Sequence, residues 1–127
     1  MATASAGGPP GEITLTESID AFLEYCRDVR RLSPHTLSNY RRDLDSFDSA
    51  LSRQQIYRAE QVQESHVRYW VSGLHRRGLA GSSIQRGLSA ARSLFNYLGR
   101  IAGYPRNPAS AVQAPRPPRR LTKTLDA

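Results

Sequence analysis

A stripe of apolar side chains at helical spacing, beginning a few residues after Ser33, constrains the fold of this chain more than any other feature. Its members recur every three or four positions: Leu37, Tyr40, Leu44, Phe47 and Leu51. Residues at this spacing lie along one face of an α-helix, which must be buried against other elements. Ser33 suits the N-cap of such a helix and Pro34 its first position. The segment therefore predicts a long amphipathic helix, whose opposite face carries Ser38, Arg42, Asp45 and Ser49, with Arg41 on the flank.

The segment before this stripe predicts a first helix. Thr14 or Thr16 suits its N-cap, and its apolar side chains at helical spacing are Ile19, Phe22, Leu23, Cys26 and Val29. Its outer face carries four acids: Glu17, Asp20, Glu24 and Asp28. Because carboxylates repel phosphate groups, we expect this helix to pack behind any surface that contacts nucleic acid.

Two further segments complete the predicted bundle. Ser65 suits the N-cap of a third helix, which ends before Gly78 and buries Val67, Trp70, Val71 and Leu74. Ser82 or Ser83 suits the N-cap of a fourth helix, which ends near Gly99 and buries Ile84, Leu88, Ala91, Phe95 and Leu98. No segment shows the alternation of a β-strand. We therefore expect an all-α fold, a bundle of four helices.

The length of 127 residues is enough for one domain. We expect the folded domain to span 14–112 after a disordered leader, 1–13, which lacks the basic and apolar regions of a secretory signal. Residues 113–127 are rich in proline and arginine, a composition typical of a stiff linker between domains. The sequence therefore indicates a piece of a larger protein. No apolar run approaches the roughly 18 residues that a membrane span needs.

The charge of the chain is segregated along the sequence. Residues 1–64 carry 7 basic and 10 acidic side chains, whereas residues 65–127 carry 11 basic side chains and 1 acidic one. A basic half of this kind attracts a polyanion, and nucleic acid is the partner that it favours. All but one of the 18 basic residues are arginine, whose planar fork suits phosphates and guanine edges. A GC-rich genome would produce the same bias.

Residues that perform catalysis or bind metals are sparse and poorly spaced. Cys26 is the one cysteine, so neither an internal disulfide nor a cysteine-based metal site is expected. The three histidines lie in no metal-binding motif. Asp43 and Asp45 are two residues apart on a helix, point in different directions and cannot act as a carboxylate pair. We therefore expect no active site, no metal, no cofactor and no small-molecule ligand.

Two helix starts carry the residues that we expect to contact duplex DNA. Helix N-termini present free amides and the positive end of the helix dipole to phosphates, and small hydroxyl side chains let a helix approach a groove closely. Arg42 and Arg86 lie on the outward faces of the second and fourth helices, within reach of bases or backbone. Serine and threonine at helix starts are also ordinary caps, so either role explains them singly.

Four motifs, in order and spacing, resemble the N-terminal core-binding domain of Xer-type tyrosine recombinases, and are most like the XerC branch: LSPHTLSNYRRDLDSF, HRRGLAGSSIQRGLSAARSLFNYL, NPASAV and APRPPRRLTKTLD. The resemblance implies a SAM-like bundle that forms one half of a clamp around DNA. It also implies a parent enzyme that cuts and rejoins DNA through a tyrosine-phosphate intermediate, without metal or cofactor. Such a parent works with a XerD-like partner recombinase at dif-type sites to resolve chromosome dimers.

In that family the second and fourth helices of this domain enter the major groove. The matching positions here, which we expect to bind DNA, are Thr36, Ser38, Asn39, Arg41, Arg42, Ser82, Ser83, Arg86 and Ser89. The catalytic residues of the family lie in a C-terminal domain that would follow the linker, and Thr122 stands where the family usually has proline.

We therefore expect a non-catalytic, DNA-binding fragment that is cytoplasmic and associated with the nucleoid. Two alternatives stay open. One is the same domain of a phage or mobile-element integrase, and the other is a helical bundle whose basic half binds an acidic protein instead of DNA.

Overall fold

Four α-helices and one short 3₁₀ helix make up residues 13–115, the part of the chain that the computed structural model describes. Their bounds are α1 Leu15–Asp28, α2 Pro34–Arg53, the 3₁₀ helix Ala59–Gln61, α3 Glu64–Arg76 and α4 Gly81–Ala102. No strand occurs within this part of the chain, which confirms the predicted all-α fold. Residues 1–12 and 116–127, most of the predicted leader and linker, lie outside the described residues.

The first helix begins with a reciprocal pair of hydrogen bonds at Thr14, one of its two predicted caps. The backbone N–H of Glu17 donates to the Thr14 hydroxyl at 3.0 Å, and the N–H of Thr14 donates to the Glu17 carboxylate at 2.9 Å. This capping box satisfies two donors that a helix start otherwise leaves unpaired. The predicted burial of Val29 is wrong: α1 ends at Asp28, and Val29, beyond its last turn, is 65% exposed.

The second helix begins where the sequence predicts. The Ser33 hydroxyl accepts from the N–H of Thr36 at 3.1 Å, and Pro34 occupies the first helical position. Leu44, Phe47 and Leu51 of the predicted stripe are fully buried, whereas its first two members, Leu37 and Tyr40, are partly buried against the core.

The predicted caps of the third and fourth helices are wrong by about one turn or less. The third helix begins at Glu64, with Gln63 at the N-cap, so Ser65 lies inside its first turn. The fourth begins at Gly81, with Ala80 at the N-cap, so neither Ser82 nor Ser83 caps it.

The turn between α3 and α4 explains why a residue without a hydroxyl caps α4. Gly78 adopts φ +86°, a left-handed conformation that suits glycine, and its N–H donates to the carbonyl of His75. The N–H of Leu79 then donates to the carbonyl of Leu74 at 3.2 Å. These two bonds form a Schellman motif. Because it leaves so short a connection, the turn and not a side-chain cap fixes where α4 starts.

The core forms around α2, which packs against each of the other three helices. Phe47 of α2 lies at its centre, with ring centroids 5.0 Å from Trp70 of α3 and 6.1 Å from Phe95 of α4, both in edge-on arrangements. Trp70 is buried, and its indole N–H donates to the hydroxyl of Ser46 at 3.0 Å. These contacts fix the roll of α2 and thus the direction of its outer face.

The segment after α4 folds back along that helix. The fourth helix ends at Ala102, one turn beyond the predicted end near Gly99. Arg92 of α4 then donates to the carbonyls of Ala109 and Val112, both buried residues. At the end of the described chain, the carbonyl oxygen of Pro115 lies 3.7 Å from where a Cβ at Gly81 would be. The chain therefore reaches residue 115 beside the start of α4.

None of the helices between residues 13 and 115 is long and apolar enough to cross a membrane.

Candidate nucleic-acid interface

The outer face of α2 carries most of its predicted DNA-binding residues. Ser38 and Arg42 are exposed, and Thr36 and Asn39 are half-buried. The Thr36 hydroxyl accepts from that of Ser33 at 3.0 Å, so this pair of hydroxyls belongs to the helix start. The polar face lies opposite the fully buried Leu44, because the core fixes the roll of the helix.

Asn39 connects two neighbours along this face. Arg42 donates through Nη2 to Oδ1 of Asn39 at 2.7 Å, and Nδ2 of Asn39 lies 3.3 Å from Nε2 of His35. The three side chains therefore form a hydrogen-bonded row along about two turns of helix. Such a row orients the Arg42 guanidinium before any ligand arrives, which lowers the entropy that binding must remove.

An ion pair joins α2 to α4 next to this row. Arg86 of α4 donates through Nε to Oδ2 of Asp43 at 3.2 Å, and Nη2 lies 3.5 Å from Oδ1. The Asp43 side chain is 11% exposed and that of Arg86 is 44% exposed. The pair holds Arg86 of α4 against Asp43 of α2, the residue that follows Arg42 in the sequence.

The predicted serines of α4 do not cap the helix, but each keeps some exposure to solvent. Ser82 and Ser89 are exposed and Ser83 is half-buried. Since Ala80 occupies the N-cap, the hydroxyls of Ser82 and Ser83 have no capping role. Ser82 and Ser83 lie in the first turn of α4, where free amides and the helix dipole favour an anion.

Arg41 lies on the side of α2 that faces α1, where it lines a groove together with Ser38 and Asp20. It donates through Nη1 to Asp20 at 3.0 Å and to Asp45 at 3.4 Å. Partial burial by itself lowers the pKa of Arg41, but the hydrogen bond to Asp20 and the charges of both acids outweigh it and raise the pKa. Arg41 is therefore a charged residue whose charge two carboxylates already balance.

Two residues of this region have roles that sequence reasoning missed. The sequence offers Asp43 only as half of an unsuitable carboxylate pair, whereas in the structure it is buried and bound to Arg86. Gly87 lies on the buried face of α4, where an added Cβ would lie 3.3 Å from Cη2 of Trp70. The place of each residue on its helix could have indicated its role. Asp43 adjoins the buried stripe of α2, where a charged group needs a partner. A glycine on the buried face of a helix indicates that another element approaches closely there.

No cluster of three or more histidine, cysteine or acidic side chains that could hold a metal ion occurs between residues 13 and 115. His66, one of the three histidines, accepts through Nδ1 from the N–H of Gln63 at 2.9 Å and belongs to the start of α3.

Curated relatives with similar sequences are tyrosine recombinases. The chain is 41% identical over 123 residues to the tyrosine recombinase XerC of Xanthomonas campestris pv. campestris strain B100, covering 94% of this chain and 37% of that protein. It is 37% identical over 112 residues to the tyrosine recombinase XerC of Stutzerimonas stutzeri strain A1501, covering 88% of this chain and 38% of the relative. The chain thus spans well under half the length of these relatives.

Two solved structures share the fold. The N-terminal domain of a phage integrase/site-specific recombinase from Haloarcula marismortui matches with a TM-score of 0.69 and 15% identity, over 82% of this chain and 98% of that one. The integrase-like domain from Bacillus cereus matches with a TM-score of 0.72 and 14% identity, over 87% of this chain and 90% of that one. Finally, residues 19–101 match the family model of the phage integrase N-terminal SAM-like domain. The chain belongs to the family of phage integrase N-terminal SAM-like domains.

Proposed function

We propose that this chain is the DNA-binding N-terminal domain of a XerC-like tyrosine recombinase that acts at dif-type sites to resolve chromosome dimers. The observation that carries the proposal is the contact between Arg86 and Asp43, because it joins the polar faces of α2 and α4 into one surface. We call this surface the α2–α4 surface and define it by Thr36, Ser38, Asn39, Arg42, Ser82, Ser83, Arg86 and Ser89.

The α2–α4 surface combines two ways of holding duplex DNA. The first turn of α4 offers backbone amides and short hydroxyl side chains to phosphate oxygens, which set register without reading sequence. Arg42 and Arg86 offer guanidinium groups, each with one hydrogen-bonded anchor, to base edges or phosphates. Arg41 is left outside this surface, since it is bound to two acids on the side of α1.

We propose domain boundaries of 14–112 for the folded unit and 113–127 for a linker. The packing of Val112 under Arg92 supports the end of the folded unit. The parent protein would be the enzyme, its catalytic residues would lie in a further domain, and this part would need no cofactor. A XerD-like recombinase would be its partner in the assembly on DNA, in the cytoplasm and with the nucleoid.

Two other functions use the same fold. A phage or mobile-element integrase would carry the same domain, and selection of the preferred duplex from a random pool would separate it from a recombinase of dif-type sites. A bundle that binds an acidic protein is the second alternative. The similarity to recombinases favours DNA over that reading.

Fluorescence anisotropy with a labelled dif-like duplex tests the proposal at several salt concentrations. We expect weak binding that falls steeply with salt, because this domain would supply one half of a clamp around DNA. Arg42→Ala and Arg86→Ala should each weaken binding, and each lost phosphate contact should lower the slope of log K against log salt by about 0.9.

Arg27→Ala is the matched control, since Arg27 is exposed on α1 and pairs with Asp28. It should leave both affinity and slope nearly unchanged. Equal losses in the Arg27 and Arg42 variants, or no binding of duplex by the wild-type chain, would contradict the proposed function.

A further inference from the structure

We propose that Asp43 is a positioning residue that makes Arg86 select base edges over phosphates. The inference rests on the proposed function and adds to it the source of sequence preference within the α2–α4 surface. It assigns a role in DNA recognition to an acid, the residue type that composition alone would exclude from a DNA-binding surface.

The placement of Asp43 is the first observation. Its side chain is 11% exposed, and its two oxygens face the Nε and Nη2 atoms of Arg86, at 3.2 Å and 3.5 Å. A buried carboxylate is costly unless a partner compensates it. Arg86 is therefore held where Asp43 lies, even though its own side chain is 44% exposed.

The packing behind Asp43 is the second observation. A Cβ built at Gly87 would lie 3.3 Å from Cη2 of Trp70 and 3.9 Å from Cγ of Asp43. The absence of a side chain at Gly87 thus allows α4 to approach Trp70 closely, with Asp43 at ordinary contact distance beside it. Trp70 is in turn fixed by its hydrogen bond to Ser46, on the same helix as Asp43. Asp43 is consequently a rigid anchor.

The donors that Asp43 leaves free are the third observation. A guanidinium has five N–H donors in one plane, and Asp43 faces those on Nε and one on Nη2. No hydrogen bond within residues 13–115 uses the donors on Nη1. The end of the guanidinium can therefore present two parallel donors, one on Nη1 and the second on Nη2, as required for O6 and N7 of guanine.

The charge of Asp43 weakens the binding of DNA of any sequence, whereas its position strengthens the contact of Arg86 with one base pair. A carboxylate beside Arg86 offsets part of the positive charge, which weakens attraction to phosphates of any sequence. Fixing the guanidinium plane strengthens the contact with one base pair. Asp43 should therefore lower the affinity of the chain for random DNA. It should also raise the ratio of the affinity for preferred DNA to the affinity for random DNA.

Asp43→Asn separates this role from a structural one. The probes are a duplex selected from a random pool by the wild-type 127-residue chain and a scrambled duplex of equal length, each titrated at one salt concentration. We expect the ratio of the two affinities to fall at least about fivefold. Affinity for the scrambled duplex should rise about twofold, since one negative charge is lost.

Two comparisons complete the design. Asp45→Asn removes the same charge from an exposed acid that pairs with Arg41, and it should leave the affinity ratio unchanged. In an Arg86→Ala background, Asp43→Asn should no longer change the ratio, because Asp43 acts through Arg86. Thermal unfolding of every variant checks that it is folded, and Asp43→Ser takes the place of Asp43→Asn if that variant is not.

Each outcome supports or overturns the role proposed for Asp43. An unchanged ratio in Asp43→Asn, or equal losses for both duplexes, would overturn the role of Asp43 and leave the proposed function intact. A wild-type chain that binds both duplexes with equal affinity would also overturn the role of Asp43 and leave the proposed function intact. A wild-type chain that binds no duplex would overturn the proposed function, and the inference with it.

Discussion

At the scale of single residues, helical spacing predicts burial well inside a helix and poorly at its ends. Val67, in the predicted stripe of α3, is fully buried, whereas Val29, assigned by the same rule to α1, is 65% exposed. The difference arises because α1 ends at Asp28, after which the chain no longer turns with the helical period. Spacing cannot show where a helix ends when no glycine or proline marks the place.

The two valines offer a matched test of burial. Val67→Ala should lower the free energy of unfolding by about 2 kcal/mol, from lost transfer energy and the cavity that remains. Val29→Ala removes the same two methyl groups from an exposed site and should change the free energy of unfolding by less than about 0.5 kcal/mol. Urea unfolding followed by circular dichroism measures both. Similar losses in the two variants would contradict the packing described above.

Cys26 lies in the core, and burial raises the pKa of its thiol, although the nearby charge of Arg30 and a hydrogen bond to it oppose the shift. The folded chain therefore keeps the thiol proton at pH values where the unfolded chain loses it. The stabilisation from this group is full below the ordinary thiol pKa of 9.0 and is lost as pH rises through the folded pKa.

We accordingly expect Cys26 in the folded chain to react much more slowly with a thiol reagent at pH 8 than in urea. Stability above pH 9.0 should fall less in Cys26→Ala than in the wild type. Rapid modification of the folded chain, at the rate of the unfolded one, would show that the thiol is not buried.

At the scale of elements, helix starts separate what sequence can predict from what it cannot. Ser33 followed by Pro34 predicts the start of α2 correctly, because a hydroxyl cap and a fixed proline φ act locally. The start of α4 depends on the Schellman turn at Gly78, whose bonds reach back to Leu74. A serine nearby is then no guide to the N-cap.

Serine-to-alanine substitutions test this distinction. Ser33→Ala should lower the free energy of unfolding by about 1 kcal/mol, since the N–H of Thr36 loses its acceptor. Ser82→Ala should leave stability within about 0.5 kcal/mol, because Ser82 caps nothing. Chemical unfolding measures both. A loss in Ser82→Ala equal to that in Ser33→Ala would place the cap of α4 at Ser82.

The segment after α4 depends on one side chain for its position. Arg92 donates to the carbonyls of Ala109 and Val112, and the side chain of Asn107 donates to the carbonyl of Arg92. Arg92→Ala should free this segment and cost about 1 to 3 kcal/mol, because buried carbonyls lose their donors.

Hydrogen exchange at the Ala109 amide, which donates to Asn107 at 2.9 Å, reports the release directly. Arg100→Ala is the control, since Arg100 lies on the same helix and donates to the hydroxyl of Tyr25 on α1. It should leave the exchange rate at Ala109 unchanged. Unchanged exchange in Arg92→Ala as well would mean that packing alone holds the segment.

At the scale of the whole molecule, the sequence predicts the number of helices, their buried faces and the basic half of the chain. It could not predict which arginines have acidic partners. Arg86 and Asp43 are 43 positions apart, and Arg41 meets Asp20 across two helices. Such pairs depend on how helices cross, which the periodicity of each helix does not contain. The candidate surface was therefore predictable as a set of faces and not as a network of contacts.

The central claim is that the α2–α4 surface binds duplex DNA, and amide chemical shifts during a titration with a dif-like duplex test it most directly. We predict the largest changes in the first turns of α2 and α4 and around Arg42 and Arg86, with little change on the acidic face of α1 at Glu17 and Glu24. Unchanged shifts at the starts of α2 and α4, or changes centred on α1, would contradict the claim.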